Sequence, residues 1–444
     1  MTASRGGGGA SRRFILTGAA GLLAAVAPAR AADQTTAAPN PGGAEPFFGT
    51  SQAGIATPAQ SHTFFAAFDL HTNDVGDVVS LLRTWTDAAA RLTAGQTAQP
   101  IAGGLKPADA KGVPPADRYD TPIPLDPAGM TGDTGEALGL PLARLTLTFG
   151  FGPGLFTRDG ADRFGLATRR PEAFVDLPRF AGDQLDAART GGDLSVQACA
   201  DDPQVAFHAV RQLARLTGGV ARILWAQSGF LPAHAPDETP RNLMGFKDGT
   251  RNVSAGETTV MDSHVWVGAE GPDWMRGGSY LVARRIRIAL EHWDRMKLMF
   301  QEQTVGRHKL SGAPLGREQE KDPLDLDREG EDGNPLIAEN AHVRLAAPEE
   351  NGGTQILRRP YSFNDGVNFT TERWPPWRQG LEYDAGLFFL AYQRDVRTGF
   401  IRIFDRMSKF DMLNQFVTHV GGGLFACPGG VARGEFVGQR LFKV

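Results

Sequence analysis

Apolar positions along this chain repeat with periods of two and of 3.6, and their order predicts two similar halves. Residues 62–70 read as a strand, with Phe64, Phe65 and Phe68 as its bulky members. Residues 77–92 have helical spacing at Val78, Leu81, Leu82, Trp85 and Ala89. Residues 144–149 alternate again, with Leu145, Leu147 and Phe149 on one face. A strand over 194–200 leads into a helix that runs through Leu216, with Asp202 as its N-cap and Pro203 at its first position. A strand over 221–231 closes this half. In the second half, 279–290, 355–363 and 387–392 read as strands, 293–305 and 397–407 as helices, and 413–427 contains the last strand.

The halves share a local plan. In each, an apolar strand runs into an aspartate and then a helix with a phenylalanine near its start: 194–201 with Phe207, and 388–395 with Phe400. Each half reads as β-α-β followed by β-α-β, the ferredoxin-like arrangement. The fold class expected is α+β, two ferredoxin-like halves with antiparallel sheets packed together and helices outside. A doubly wound parallel sheet is the alternative. Strands that alternate, rather than running continuously apolar, disfavour it. The expected boundaries are a leader over 1–31, a disordered lead-in over 32–55, one half over 56–235 and the other over 236–444.

Composition narrows the functional classes. A length of 444 residues suits two ordinary domains, and 55 Gly with 29 Pro predicts many turns. A net charge of −4 gives no global field for nucleic acid. The two cysteines, Cys199 and Cys427, form no C-x-x-C pair, which argues against a zinc or thiol redox motif and leaves a single disulfide open.

Residues 11–31 look like an address. Arg12-Arg13 precede an apolar, glycine-interrupted run, and Ala29-Arg30-Ala31 offers a small-residue cleavage site. The paired arginines mark the twin-arginine (Tat) route, which carries folded, often cofactor-loaded proteins. The run is short for a bilayer span of ~20 apolar residues, so no transmembrane anchor is expected after processing. The destination is the periplasm, the cell envelope or the medium.

Several motifs fail on inspection. Gly150-x-Gly152-x-Gly154 follows a strand, but no periodic helix follows it, so a dinucleotide fingerprint is incomplete. Asp325-x-Asp327 with Gly330 resembles a calcium loop, yet Leu336 stands where a bidentate Glu is required. The acidic run over 318–332 reads as a solvated loop.

Gly245-Phe246-Lys247-Asp248-Gly249-Thr250-Arg251-Asn252 places an aspartate between two turn-forming glycines. Alone, it is a turn with an Asx hydrogen bond. Other blocks accompany it: Ala341-His342-Val343-Arg344-Leu345-Ala346, Ile356-Leu357-Arg358-Arg359, Leu390-Ala391-Tyr392-Gln393-Arg394-Asp395, Gly54-Ile55-Ala56-Thr57-Pro58 and Gly312-Ala313-Pro314-Leu315-Gly316. Together they resemble the dye-decolourising (DyP-type) haem peroxidases over nearly the whole mature chain, in particular their Tat-exported deferrochelatase/peroxidase branch. Ser51 departs from the histidine that stands there in many relatives.

The resemblance implies a dimeric α+β barrel of two ferredoxin-like halves. It implies haem b (iron protoporphyrin IX) as cofactor, and hydrogen peroxide with small or bulky reducing donors as substrates. It assigns His342 as the axial iron ligand and Asp248 with Arg358 as the catalytic pair on the other haem face. Gly249, Thr250 and Arg251 would line the haem edge, and Asp395 would accept a hydrogen bond from the His342 ring. The residue types suit peroxide cleavage: imidazole is a strong axial donor, a carboxylate shuttles a proton, and a guanidinium stabilises developing negative charge. A carboxylate base predicts dye oxidation best at acid pH, about 4–5.

Arg358 and Arg359 are adjacent on a strand and face opposite sides, so the second is expected to be a surface or interface cation. Asp395 could equally cap the following helix. Packing is the favoured role for Trp374, Trp377, Tyr383 and Tyr392, with electron relay as the alternative. A role in iron acquisition, releasing iron from haem or oxidising ferrous iron for an uptake partner, needs the same pocket and is not separated by sequence. Self-association is also left open.

Overall fold

A computed structural model describes residues 43–100, 132–235, 238–371 and 379–442. The expected leader over 1–31 and the side chains of Trp374 and Trp377 lie outside the described residues. Among the described residues, no helix is long and apolar enough to cross a membrane.

The first half contains β1 (His62–Leu70), α1 (Val75–Thr93), β2 (Thr146–Phe151), β3 (Leu194–Ala200), α2 (Pro203–Arg215) and β4 (Ala221–Phe230). The second contains α3 (Thr258–His264), β5 (Ser279–Ile288), α4 (Leu290–Trp293), α5 (Leu298–Val305), α6 (His342–Ala346), β6 (Leu357–Arg358), β7 (Tyr361–Thr371), β8 (Gln379–Gln393), α7 (Arg402–Phe410) and β9 (Val417–Cys427). Strand order is β2-β3-β1-β4 in one half and β9-β5-β8-β7 in the other, so each sheet has ferredoxin-like connectivity. The halves join at two narrow seams, Phe151 to Ala426 and Phe230 to Ser362. These close an antiparallel barrel.

Period-two alternation sorts the strand side chains. Phe65 and Ala67 of β1, Cys199 of β3, Phe388, Leu390 and Tyr392 of β8, and Phe425 of β9 fill the barrel interior. Ala66, Phe68, Val196, Val282 and Leu424 point outward to a second core that also takes Leu82, Trp85, Ala209 and Leu213 from α1 and α2. Asp202 caps α2 as expected, its carboxylate accepting from Gln204 N at 2.7 Å and Val205 N at 3.1 Å. Cys199 and Cys427 are both buried and free.

Three local expectations are corrected. The lead-in over 32–55 is folded from Gly43 onward. Phe47 and Phe48 pack against the outer core, and Gln52 Nε2 donates to Phe149 O and Pro428 O, both at 3.0 Å. The helix expected over 293–305 is two helices, with Gln301 Nε2 donating to the Trp293 carbonyl at 2.9 Å across the break. The strand expected over 355–363 is split into β6 and β7 around Pro360, which has no N–H for the ladder.

Candidate active site

A cavity lies on the outer face of the second sheet. Its floor is Ile286 and Ile288 of β5, Leu387 and Phe389 of β8, and Val417 and His419 of β9. Phe404 and Met407 of α7 wall one side, and the 245–251 loop another. His342, Asp248, Arg358, Gly249, Thr250 and Arg251 all line this one cavity.

The 245–252 loop is held from both ends. Gly245 and Gly249 adopt φ of +84° and +126°, a region that disfavours side-chain-bearing residues. Phe246 packs on Trp293 with ring centroids 6.0 Å apart, and Trp293 Nε1 donates to Met244 O at 3.1 Å. At the other end, Asn252 mimics a strand: its Nδ2 donates to Arg358 O at 2.6 Å, and its Oδ1 accepts from Arg358 N at 2.8 Å. That clamp brings Arg358 Nη1 to 3.2 Å from Asp248 Oδ1. Asn242 Nδ2 lies 3.4 Å from Asp248 Oδ2, so each carboxylate oxygen has one donor. Thr250 Oγ1 donates to Glu320 at 3.0 Å, and Arg251 pairs with Glu349 at 2.7 Å on the rim.

His342 opens α6, and its side chain keeps about a third of its surface accessible (34%). Its Nδ1–H donates to Asp411 Oδ2 at 2.7 Å, which in the neutral ring leaves the Nε2 lone pair free. Asp411 is itself fixed, its Oδ1 accepting from Leu413 N at 2.8 Å. Burial pulls the His342 pKa down. The charge and hydrogen bond of Asp411, joined by the charge of Asp248, outweigh burial and raise it above the ordinary imidazole value, with Arg358 opposing.

Asp395 is not the partner of His342. Its carboxylate binds Arg397 at 2.7 Å and accepts from Arg397 N at 2.8 Å, a local turn contact just ahead of the helical turn at 397–401. It lines a separate polar pocket with Arg394, Glu270 and Tyr280. The reason is the length of α7: Asp395 precedes that helix, whereas His342 meets its far end at Asp411. Arg359 is also displaced from expectation. It enters the barrel interior, where its guanidinium donates to Thr57 O and Gln60 Oε1 and only 5% of the residue is exposed. Tyr392 is buried in the same interior, its hydroxyl donating to Gln197 Oε1 at 2.7 Å, while Tyr383 is exposed.

Sequence reasoning missed four residues. Asn252 stood unassigned inside the quoted loop block. Arg307 lies just before the Gly312-Ala313-Pro314 block. Asp411 gave no signal beyond a short capping pattern. His419 was one histidine among nine. Arg284 Nε donates to His419 Nδ1 at 3.2 Å and forms a buried pair with Asp183 at 2.5 Å. His419 therefore carries its proton on Nε2. Burial, then the Arg284 charge, pushes its pKa down to about 3, so it stays neutral.

A family model described as Dyp-type peroxidase, N-terminal, matches residues 52–231, and one described as Dyp-type peroxidase, C-terminal, matches residues 239–432. A deferrochelatase of Escherichia coli K12 is 34% identical over 450 residues, covering 98% of this chain and 97% of that protein. The crystal structure of a DyP-type peroxidase from Streptomyces coelicolor has 38% identity and a TM-score of 0.77, covering 91% of this chain and 98% of that one. Ferric DtpA from Streptomyces lividans gives the same identity, coverage and TM-score, 38%, 91% and 98%, and 0.77.

Proposed function

The chain belongs to the Dyp-type peroxidase family, and from that premise we propose that its cavity holds haem b and that it uses hydrogen peroxide to oxidise dyes, phenols or similar donors by one-electron steps. The observation that carries this reading is the shared cavity: an imidazole with a free Nε2 and a carboxylate–guanidinium pair line one largely apolar space. The donor set fits an iron macrocycle, with one strong nitrogen donor, apolar walls for the ring and cations at the rim.

Haem, when bound, supplies a redox-active iron at which peroxide is cleaved. His342 Nε2 would be the nitrogen donor that holds the iron. Asp411 keeps the proton on Nδ1, fixes the ring plane and increases the basicity of Nε2. Asp248 takes the peroxide proton on a carboxylate oxygen and returns it to the departing oxygen. Arg358, permanently charged, stabilises the negative charge that develops there, and the Asn252 clamp holds it in place. Gly249, Thr250 and Arg251, which line the same cavity, would border the cofactor. The Arg12-Arg13 leader directs Tat export to the periplasm, envelope or medium.

The test is an absorption spectrum of wild type and His342→Ala with peroxide added. Wild type is expected to show a Soret band that peroxide shifts, and the variant to lose haem or its axial ligation. Wild type without a Soret band after haem supplementation would refute the assignment. The relatives named deferrochelatase favour a second reading, removal of iron from haem. Recovery of intact iron-free protoporphyrin supports that reading, and sustained turnover of an anthraquinone dye supports peroxidase action.

A further inference from the structure

A second pocket, of about 470 Å³, is not used by the reading above. Tyr280 of β5 forms part of its wall. The residue is 1% exposed, and its ring stacks on Phe174 with centroids 5.6 Å apart. Among the described residues no hydrogen bond reaches its hydroxyl, which is not sealed in protein and opens onto the pocket. Burial, then the charges of Asp395 and Glu270, raise its pKa above the ordinary phenol value, with Arg397 opposing, so the hydroxyl keeps its proton. A buried hydroxyl without a partner is unfavourable, and a bound ligand that pairs with it relieves the cost.

The rest of the lining selects the ligand. Arg394 is held by both oxygens of Glu270, at 2.7 and 2.6 Å, and Arg397 lies between Asp395 and Glu172, each at 2.7 Å. Three carboxylates against two guanidiniums leave the lining one negative charge, with both guanidiniums already paired. His264 and Gln355 border the same space, and among the described residues neither side chain has a hydrogen-bond partner. Burial lowers the His264 pKa, so its imidazole is neutral at neutral pH. The free polar groups are therefore a hydroxyl, an imidazole and an amide, beside apolar surface from Pro171, Val267 and Pro272. That combination suits a small neutral ring bearing hydroxyls and disfavours an anion. Phenolic O–H groups ionise at about pH 10 and so meet the requirement. Thr354 and Gln355 line this pocket and the cavity of His342 alike, so one short segment separates the two.

Resting on the peroxidase reading of that cavity, we propose that the Tyr280 pocket takes the reducing donor, a small neutral hydroxylated aromatic of the hydroquinone type, with the Tyr280 hydroxyl hydrogen-bonded to a hydroxyl of the ring. Oxidation of the donor removes one electron and one proton from a phenolic O–H and leaves a phenoxyl radical. The electron crosses the 354–355 segment to the cofactor that peroxide has oxidised, reducing it by one equivalent. The proton passes to water at the exposed Glu172 rim.

The test is calorimetric titration of the haem-loaded full chain with hydroquinone and with hydroquinonesulfonate, its anionic counterpart. Wild type, Tyr280→Phe and Thr398→Trp are compared, and folding is checked by far-UV circular dichroism. Thr398 is exposed at the pocket, so a tryptophan there obstructs the entrance without entering a packed core. Wild type is expected to bind hydroquinone about fivefold more tightly than the sulfonate, the order of one like-charge contact in water. Tyr280→Phe should weaken hydroquinone binding by about twofold to tenfold, the net worth of one hydrogen bond, and Thr398→Trp should abolish it. In stopped flow, hydroquinone should restore the Soret band of peroxide-treated wild type faster than that of Thr398→Trp. Wild type that binds no hydroquinone overturns the proposal, and so does unchanged affinity in either variant or a sulfonate bound as tightly as hydroquinone. Binding lost in Thr398→Trp with Soret recovery at the wild-type rate places the reaction elsewhere and overturns it too. These outcomes leave the peroxidase reading standing. A wild type whose Soret band does not respond to peroxide overturns that reading, and the donor assignment with it.

Discussion

Asp411 and Asp395 are the same residue type, but only one of them reaches the imidazole. Asp411 contacts His342 at 2.7 Å, and Asp395 is committed to Arg397. Asp411→Asn keeps the shape and removes the charge that holds the proton on Nδ1. Loss of such a partner typically costs about 10–100-fold in metal affinity or activity. Stopped-flow reaction with peroxide should slow by that order in Asp411→Asn and remain at the wild-type rate in Asp395→Asn. The reverse pattern would restore Asp395 to the site. His419 allows a second test at this scale. Its folded pKa, about 3, lies below its ordinary 6.5. The unfolded chain therefore takes up a proton first as pH falls, and stability present above about pH 6.5 is lost progressively towards pH 3. The melting temperature of His419→Gln should fall less steeply across that window than that of wild type. Parallel slopes would show that His419 is not locked neutral.

Helices and strands here were mostly legible because their signals are local. The strand over 62–70, the strand over 194–200 and the Asp202-Pro203 helix start all stand where alternation and capping put them. Asp202→Ala removes two backbone hydrogen bonds at the start of α2, which should cost about 1 kcal/mol. Urea denaturation should show a lower midpoint with an unchanged Soret band, since α2 packs on the first half, away from the cavity. A change in the haem spectrum would contradict that separation. Elements broken by long-range packing were read less well. The 293–305 stretch keeps helical periodicity, but Trp293 turns into the cluster of Met244, Phe246 and Phe416, and the helix divides there.

The whole molecule depends on a core that neither half owns. Inside the barrel, Phe65 of the first half meets Phe388 and Phe425 of the second at 5.4 and 5.8 Å between ring centroids. Gly150 sits at the β2–β9 seam, where a Cβ would come within 2.7 Å of Phe425 Cβ and 2.5 Å of Ser195 Oγ. The glycine run that suggested a nucleotide loop therefore serves close packing. Gly150→Ala should destabilise the barrel by about 1–3 kcal/mol through overpacking. Far-UV and Soret signals should melt together at a lower temperature. A first half that melts while the haem signal persists would show that the interior core does not couple the halves.

The chain itself determined what depends on near neighbours: which residues alternate, where α2 begins, which glycines allow the Asp248 turn, and that Arg358 and Arg359 face apart. Tertiary structure decided what depends on distant partners. It placed α7 so that its far end meets His342, and turned Arg359 into the barrel rather than to the surface. Backbone preferences act over a few residues, whereas the meeting of side chains many residues apart is fixed only when the sheet closes and the helices pack against it.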